Sequence, residues 1–418
     1  MQQTLLYIPA SLFGSGWLLA AWAVLSVAWL AWLGRRQGFN ADTWGYLPLL
    51  LVVGGVIRWL LPALCDAQGL PIRGYGVMLL LAIVASTGLA AWRAKSIGVD
   101  PEIALSLAFW LIVLGLVGAR VFYVIEYWSS FRRPEYSYGD TLVAILSINQ
   151  GGLVVYGSLL GGTLALALFV YRYRLPLGPM ADLVAPCVLL GMSLGRIGCL
   201  LNGCCYGGPC SLPWAVTFPW GSPPHVHQVQ HGEVYLHGLK LAGQWRDPAV
   251  ISEVEPGSPA ARVGLAPGQQ IVEVNHDSVS TVEEAEKELL NQYKPYEPGT
   301  TLSIRTAGSP IARQWILSAP PARSLPVHPT QIYDAITCLL LCLLLLAYDP
   351  FRRRDGEVFA LAITLYSIAR FLLESIRRDE APVFGTGMSI SQNVSLAVLV
   401  AAAVLWWYVL RQPRRTRV

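Results

Sequence analysis

Stretches of about 17 to 23 residues rich in Leu, Val and Ala return along most of this 418-residue chain, and their recurrence narrows its fold more than any single motif. At ~1.5 Å per helical residue, each is long enough to cross a hydrocarbon core of about 30 Å. Charged residues make up 13% of the chain and the mean hydropathy is +0.48, whereas soluble domains carry roughly 25% charge. A soluble enzyme is excluded and a polytopic membrane protein is expected. Nine spans are predicted, at 17–34, 47–65, 75–92, 104–126, 153–171, 183–201, 332–348, 357–376 and 391–410.

The charges between the spans report topology. With the N-terminus outside, the inner segments hold thirteen Lys and Arg, including Arg35, Arg36, Arg93, Arg352, Arg415 and Arg417; the short outer segments hold five, Arg73, Arg132, Arg133, Arg377 and Arg378. This bias predicts an outside N-terminus and an inside C-terminus. Residues 1–16 carry no Lys or Arg, and the first apolar run ends without a small-residue cleavage site, so that span is expected to be retained. The net charge of +4 lies in scattered short loops, which argues against a nucleic-acid partner.

One region breaks the pattern. Between about 205 and 327 no window could span a membrane, and residues 219–327 hold 11 of the 26 acidic residues. A soluble insertion on the outer side is expected there. Ala249–Val254, Gln270–Val274 and Thr301–Arg305 alternate like strands, while Thr281–Gln292 reads as a helix with Glu283, Glu284, Glu286 and Glu288 on its solvated side. Residues 248–318, through Glu255-Pro-Gly-Ser-Pro-Ala-Ala-Arg-Val-Gly264, resemble the core of a PDZ domain, a small α+β fold. No Gly-Leu-Gly-Phe-like loop precedes Val250, so capture of a peptide end by strand addition is not expected.

Ionisable residues inside spans face a cavity or a partner. Arg120, Arg196 and Arg370 each sit five or six residues from the predicted outer end of their span, roughly 8–9 Å deep. Tyr366, Arg370, Glu374 and Arg377 follow one helical face, so Arg370 and Glu374 can pair within the helix. Tyr75, Tyr156, Gln331, Tyr333, Asn202 and Gly203 fall near the same level, and Gly151, Gly152, Gly157, Gly161 and Gly162 permit close helix approach. Planar guanidinium forks match phosphate oxygens, so the expected ligand is an anionic phospholipid. Arg58, in the second span, reads as a snorkelling side chain.

These residues stand in motifs: Arg73-Gly-Tyr75-Gly76, Gly118-Ala-Arg120, Gly151-Gly152-Leu-Val-Val-Tyr156-Gly157, Gly195-Arg196-Ile-Gly198-Cys199-Leu-Leu-Asn202-Gly203, His328-Pro-Thr-Gln331-Ile-Tyr333 and Tyr366-Ser-Ile-Ala-Arg370-Phe-Leu-Leu-Glu374. From about Ile72 to Arg411 they resemble the prolipoprotein diacylglyceryl transferases, bacterial enzymes that move a diacylglyceryl group from phosphatidylglycerol to the lipobox cysteine of a prolipoprotein. The resemblance implies a seven-span core opening outward, to which the first two spans are additions. The expected fold is thus an all-α polytopic membrane protein with an inserted PDZ-like domain: 1–70 the two extra helices, 71–218 and 328–418 the transferase core, 219–327 the insertion. It also implies that Arg196 and Arg370 serve phosphatidylglycerol and activity, and that Tyr75, Tyr366, Asn202, Gly207 and Glu374 occupy motif positions. Two positions depart from the family: Tyr156-Gly157-Ser158 replaces a His-Gly-Gly, and Cys199 replaces an asparagine.

The implied reaction makes two demands. A thiol of ordinary pKa near 8.5 must lose its proton, and a departing phosphate must be stabilised. Arg196 and Arg370 suit the second task, with Arg120 supporting or structural. For the first, Tyr156 either orients the substrate or acts as a phenolate among arginines, with His328 the other base considered. No cofactor is called for. Cys199, Cys204, Cys205 and Cys210 cluster at the outer mouth, where a disulfide, thiols or zinc are all open; adjacent Cys204 and Cys205 are not expected to reach one ion together, and no metal site is assigned. His225, His227 and His231 read as surface decoration. An alternative to the enzyme is a membrane-anchored scaffold that binds phospholipid and presents the PDZ-like module to an envelope partner.

Overall fold

The computed structural model describes residues 4–9, 11, 16–38, 46–66, 69–132, 137–147, 152–243, 246–291, 299–317, 323–377, 383 and 385–414. Gly151, Gln292, Arg133, Arg378, Arg415 and Arg417 lie outside the described residues. The chain forms two compact units, one of Met1–Val77 with Cys199–Pro329, the other of Met78–Gly198 with Thr330–Val418.

Each predicted span is helical. In chain order the helices are α1 (Trp17–Gln37), α2 (Leu47–Gly55), α3 (Gly74–Ser96), α4 (Pro101–Glu126), the short α5 (Tyr138–Leu146), α6 (Val155–Tyr173) and α7 (Leu177–Asn202). After them come α8 (Pro223–Gln230), α9 (Val282–Asn291), α10 (Thr330–Tyr348), α11 (Glu357–Glu374) and α12 (Ile390–Arg411). α2 runs on through a π-helical turn, Val56–Leu60, that holds Arg58. Among the described residues six helices, α1, α3, α4, α7, α10 and α12, are long and apolar enough to cross a membrane. α11 has 18 residues and differs from these in carrying three charged side chains, Glu357, Arg370 and Glu374. The fold is that of a multi-pass membrane protein with an inserted α+β domain.

In the unit of residues 78–198 and 330–418, Ala185 and Leu189 of α7 pack with Cys338, Cys342 and Leu345 of α10 and Val358 and Ala362 of α11. α4 and α6 meet backbone to backbone: a Cβ at Gly157 would collide with the carbonyl of Gly118, and one at Gly161 with that of Leu114. Small residues therefore set this helix distance. Arg93 and Arg352, counted above as topology markers, are also buried. Arg93 donates to the carbonyls of Asp182 (2.8 Å) and Leu183 and pairs with Asp349 at 3.0 Å. The Asp182 carboxylate accepts from the backbone N–H of Gly356 (2.8 Å) and Phe359 (2.9 Å), capping α11 from a neighbouring helix.

In the other unit, strands β1 (Thr4–Ile8) and β2 (Leu70–Arg73) pair antiparallel. The inserted domain contains an antiparallel pair, β3 (Leu239–Ala242) with β4 (Val250–Val254). It also holds a four-stranded antiparallel sheet in the order β6 (Asp277–Ser278), β5 (Ile271–Val274), β7 (Thr301–Thr306), β8 (Arg313–Ile316). Leu239, Ile251, Ile271, Leu289, Leu302 and Ile304 are fully buried in one core. That core also takes in Val229 and Leu236, upstream of the expected start at 248.

One expectation fails here. Glu286 is not on a solvated face: Val282, Ala285, Glu286 and Leu289 follow i, i+3, i+4, i+7 and all four are buried. Gln230 hydrogen-bonds Glu286, and burial holds its carboxyl above the ordinary value. Strand β3 lies ahead of Val250. It opens at a tight turn where His237 (φ 54°) and Gly238 (φ 83°) are left-handed, and β3 was too short and too close to Gly238 to stand out as a period-2 pattern.

The insertion enters and leaves through a neck. Val216 and Val327 exchange backbone hydrogen bonds, Ser324 N–H donates to the Phe218 carbonyl at 2.8 Å, and Phe218 N–H donates to the Ser324 hydroxyl at 2.9 Å.

Candidate functional site

The predicted residues divide between the two units. Arg120, Tyr156, Arg196, Gln331, Tyr366, Arg370 and Glu374 belong to one; Tyr75, Asn202, Gly203, Gly207 and His328 belong to the other.

In the first group, Arg196 on α7 sets its Nε 2.7 Å from the Asp334 carboxylate on α10. Asp334 is buried, and its other oxygen accepts from the Cys338 thiol at 3.5 Å. On α11, Arg370 Nη1 lies 2.7 Å from Glu374 Oε2, the intrahelical pair expected from their spacing. Ser389, which caps α12 through a reciprocal box with Gln392, also donates its hydroxyl to Glu374 Oε1 at 3.1 Å. Arg377 Nε approaches the same carboxylate at 3.7 Å. Tyr366 lies in the electrostatic reach of Asp334, Arg196 and Arg370 together, so both arginines share one neighbourhood.

Tyr156 joins this neighbourhood through α12. Arg370 Nη2 donates to the Ser391 hydroxyl at 2.9 Å, and the Tyr156 hydroxyl lies 3.2 Å from that same oxygen. With its oxygen accepting from Arg370, Ser391 has its own proton to offer Tyr156. Gln331 is buried at the first turn of α10, three residues before Asp334.

Arg120 is held differently. Its Nε donates to the Ile145 carbonyl (2.8 Å), Nη1 to Gly152 (3.0 Å), and Nη2 to Ala144 (2.8 Å) and Ser147 (3.1 Å), while the rings of Tyr123 and Phe131 flank it. Gly152, at φ 78°, turns its carbonyl toward the guanidinium. The dipoles of α5's C-terminal turn thus gather around one cation.

In the second group, Gly207 N–H donates to the His328 carbonyl, and His328 N–H to that of Gly208, both at 2.9 Å. Gly203 (φ 77°) ends α7, its N–H bonded to the Cys199 carbonyl at 2.9 Å. Gly74, beside Tyr75, packs against Leu201. His225 is not surface decoration: it is fully buried against Trp220, with ring centroids 3.6 Å apart, because α8 turns it inward with Pro224, Gln228 and Val229. Neither of its ring nitrogens has a hydrogen-bond partner among the described residues, and burial pushes its pKa down to about 4.

Sequence reasoning missed Asp334 and Ser391. Asp334 was findable by the rule that singled out the arginines, an ionisable residue inside an apolar span. Ser391 gives no such signal, because a serine after a helix start reads as capping.

Spans, an inserted domain, and guanidiniums paired with carboxylates inside a helical unit define a multi-pass membrane protein with ion pairs among its spans. The family model for prolipoprotein diacylglyceryl transferase matches residues 62–253 and 299–408, and that for the PDZ domain matches residues 227–297. The chain is 34% identical to a phosphatidylglycerol–prolipoprotein diacylglyceryl transferase of Rhodopirellula baltica, over 97% of this chain and 88% of that protein. It is 27% identical to a like-named protein of Corynebacterium glutamicum over 83% of this chain and 82% of the other, and 35% identical to one of Trichormus variabilis over 38% and 54%. The chain belongs to the prolipoprotein diacylglyceryl transferase family and carries a PDZ domain within it.

Proposed function

We propose that this protein transfers the diacylglyceryl group of phosphatidylglycerol to the lipobox cysteine of prolipoproteins, at the outer face of a bacterial cytoplasmic membrane. The observation that carries this reading is the pair of span-borne guanidiniums, Arg196 and Arg370, gathered near Tyr366 and each braced by a carboxylate. In the reaction the thiol sulfur attacks the glyceryl carbon bonded to phosphate. A carbon–sulfur bond forms, the carbon–oxygen bond breaks, and its electron pair leaves with glycerol phosphate. Arg196 and Arg370 stabilise that growing charge, and Asp334 and Glu374 fix where the forks point.

Tyr156 takes the thiol proton or orients the thiol; the Arg370–Ser391–Tyr156 sequence of contacts suits a phenolate, and His328 is the other candidate base. In this reading Tyr156 stands where relatives use a histidine. Arg120 is structural, since its donors already face four carbonyls. Tyr75, Asn202, Gly203, Gly207 and Gln331 shape the substrate site. The N-terminus and the inserted domain lie outside and the C-terminus inside, residues 1–70 add two helices to the core, and the PDZ domain recruits an envelope protein.

The test is complementation of a strain depleted of its diacylglyceryl transferase. The wild type restores lipoprotein maturation, while Arg196→Ala and Arg370→Ala, correctly inserted, do not. Failure of the wild type would favour the scaffold instead.

A further inference from the structure

The thiols at the end of α7 form a cluster that the transfer reaction does not use. The Sγ atoms of Cys199, Cys204 and Cys205 all lie within 4.8 Å of one another, and all three residues are partly buried. The backbone is folded to bring this about. Gly203 N–H and Cys204 N–H both donate to the Cys199 carbonyl, at 2.9 and 3.1 Å, so the chain doubles back over the last turn of α7. Cys205 is then left-handed at φ 59°, a conformation that L side chains rarely adopt. That conformation lets neighbours Cys204 and Cys205 converge with Cys199, contrary to the expectation that adjacent cysteines could not reach one ion together.

Thiols are weak hydrogen-bond donors and acceptors, so mutual contacts alone repay little of this backbone cost. A thiophilic cation does more. Zinc bound at about 2.3 Å holds its sulfurs roughly 3.8–4 Å apart, so the cluster needs to contract by less than about 1 Å. Three Zn–S bonds form as three S–H protons leave to solvent, and one negative charge remains on the site. Three protein ligands leave a fourth position for an exogenous ligand.

We propose that Cys199, Cys204 and Cys205 are a three-thiolate zinc site with one open coordination position. The inference stands apart from the transferase reading. The test uses full-length protein purified in detergent, stripped with a chelator and titrated with zinc against a chromophoric competitor. One equivalent per chain is expected, with a thiolate-to-metal charge-transfer band when cobalt replaces zinc. Cys199→Ser should weaken binding by more than about 100-fold, beyond the 10–100-fold typical of outer-shell changes. Cys205→Gly suits the left-handed backbone, so it should remove the ion while the protein stays folded. Cys210→Ser, outside the cluster, should change nothing. Absence of zinc binding, binding indifferent to Cys199→Ser and Cys205→Gly, or recovery of a disulfide joining two of the three sulfurs would each overturn the proposal.

Discussion

In the inserted domain Leu239, Ile251, Leu302 and Ile304 are fully buried, and Glu283, Glu284 and Lys287 are exposed. In the unit of residues 78–198 and 330–418, Val84 and Ile125 are 61% and 70% exposed, whereas Arg93, Asp182, Glu357 and Glu374 are all below 9%. Both regions obey one rule, that a group faces the medium that solvates it, but the media differ. Water surrounds the first, so its interior is apolar and its periodicity is legible. Hydrocarbon surrounds the spans of the second, so apolar surface costs nothing outside and the charges turn inward, where each must find a partner. Ion pairs therefore add to the apolar packing inside the span-bearing unit, where Ala185, Leu189 and Leu345 also form a core.

This contrast can be broken by mutation. The largest effect should come from Asp334→Ala, which removes a buried carboxylate from the half-buried Arg196 guanidinium, at a cost of up to about 3–5 kcal/mol. Thermal unfolding in detergent should register that loss, and the double change Arg196→Met with Asp334→Leu should recover most of it. An equal cost from the single and double changes would show that the pair is not what holds α7 and α10 in place.

Next, Leu302→Ala should cost about 3 kcal/mol of insertion stability through a core cavity. Proteolysis should then cut within 219–327 while the spans stay protected. Cleavage in the spans at the same rate would mean that the two regions do not respond separately.

A smaller, pH-dependent effect sharpens the comparison from the insertion's side. Burial pushes His225 and His237 down to about 4 each, whereas unfolded histidines titrate near 6.5. Between those values the unfolded chain binds more protons, so stability is fully present above pH 6.5 and falls as pH drops toward 4, by about 3 kcal/mol per histidine. Urea unfolding of the insertion at several pH values should show this slope, and His225→Leu should flatten it.

The smallest effect is expected from Ser389→Ala, which removes the α12 cap and the hydroxyl on Glu374, about 1 kcal/mol. Its readout is the melting temperature in detergent. A loss many times larger would mark Ser389 as the main support of Glu374.

How much of this was legible follows from the same contrast. The helices appeared in hydropathy as apolar runs, six of them long and apolar enough to cross a membrane among the described residues, and Arg370 and Glu374 were paired from their spacing alone. Asp334 fits the rule that singled out the arginines, but its pairing with Arg196 was not legible, because the partner is far away in sequence and nothing local says that α7 and α10 meet there. Glu286 was placed outward on residue type, although its position four residues after Val282 puts it on the core face. The role of Arg120 depends on backbone carbonyls, which every residue possesses and no composition reveals. The cysteine convergence hinges on one left-handed residue, Cys205, and a chain of letters carries no φ.

The neck formed by Val216, Phe218, Ser324 and Val327 has a consequence for how such a chain arises. Since entry and exit lie side by side, the module between them behaves as a cassette. It can be swapped for a short loop across the neck, so gain or loss of the module in evolution asks for no redesign of the helices that flank it.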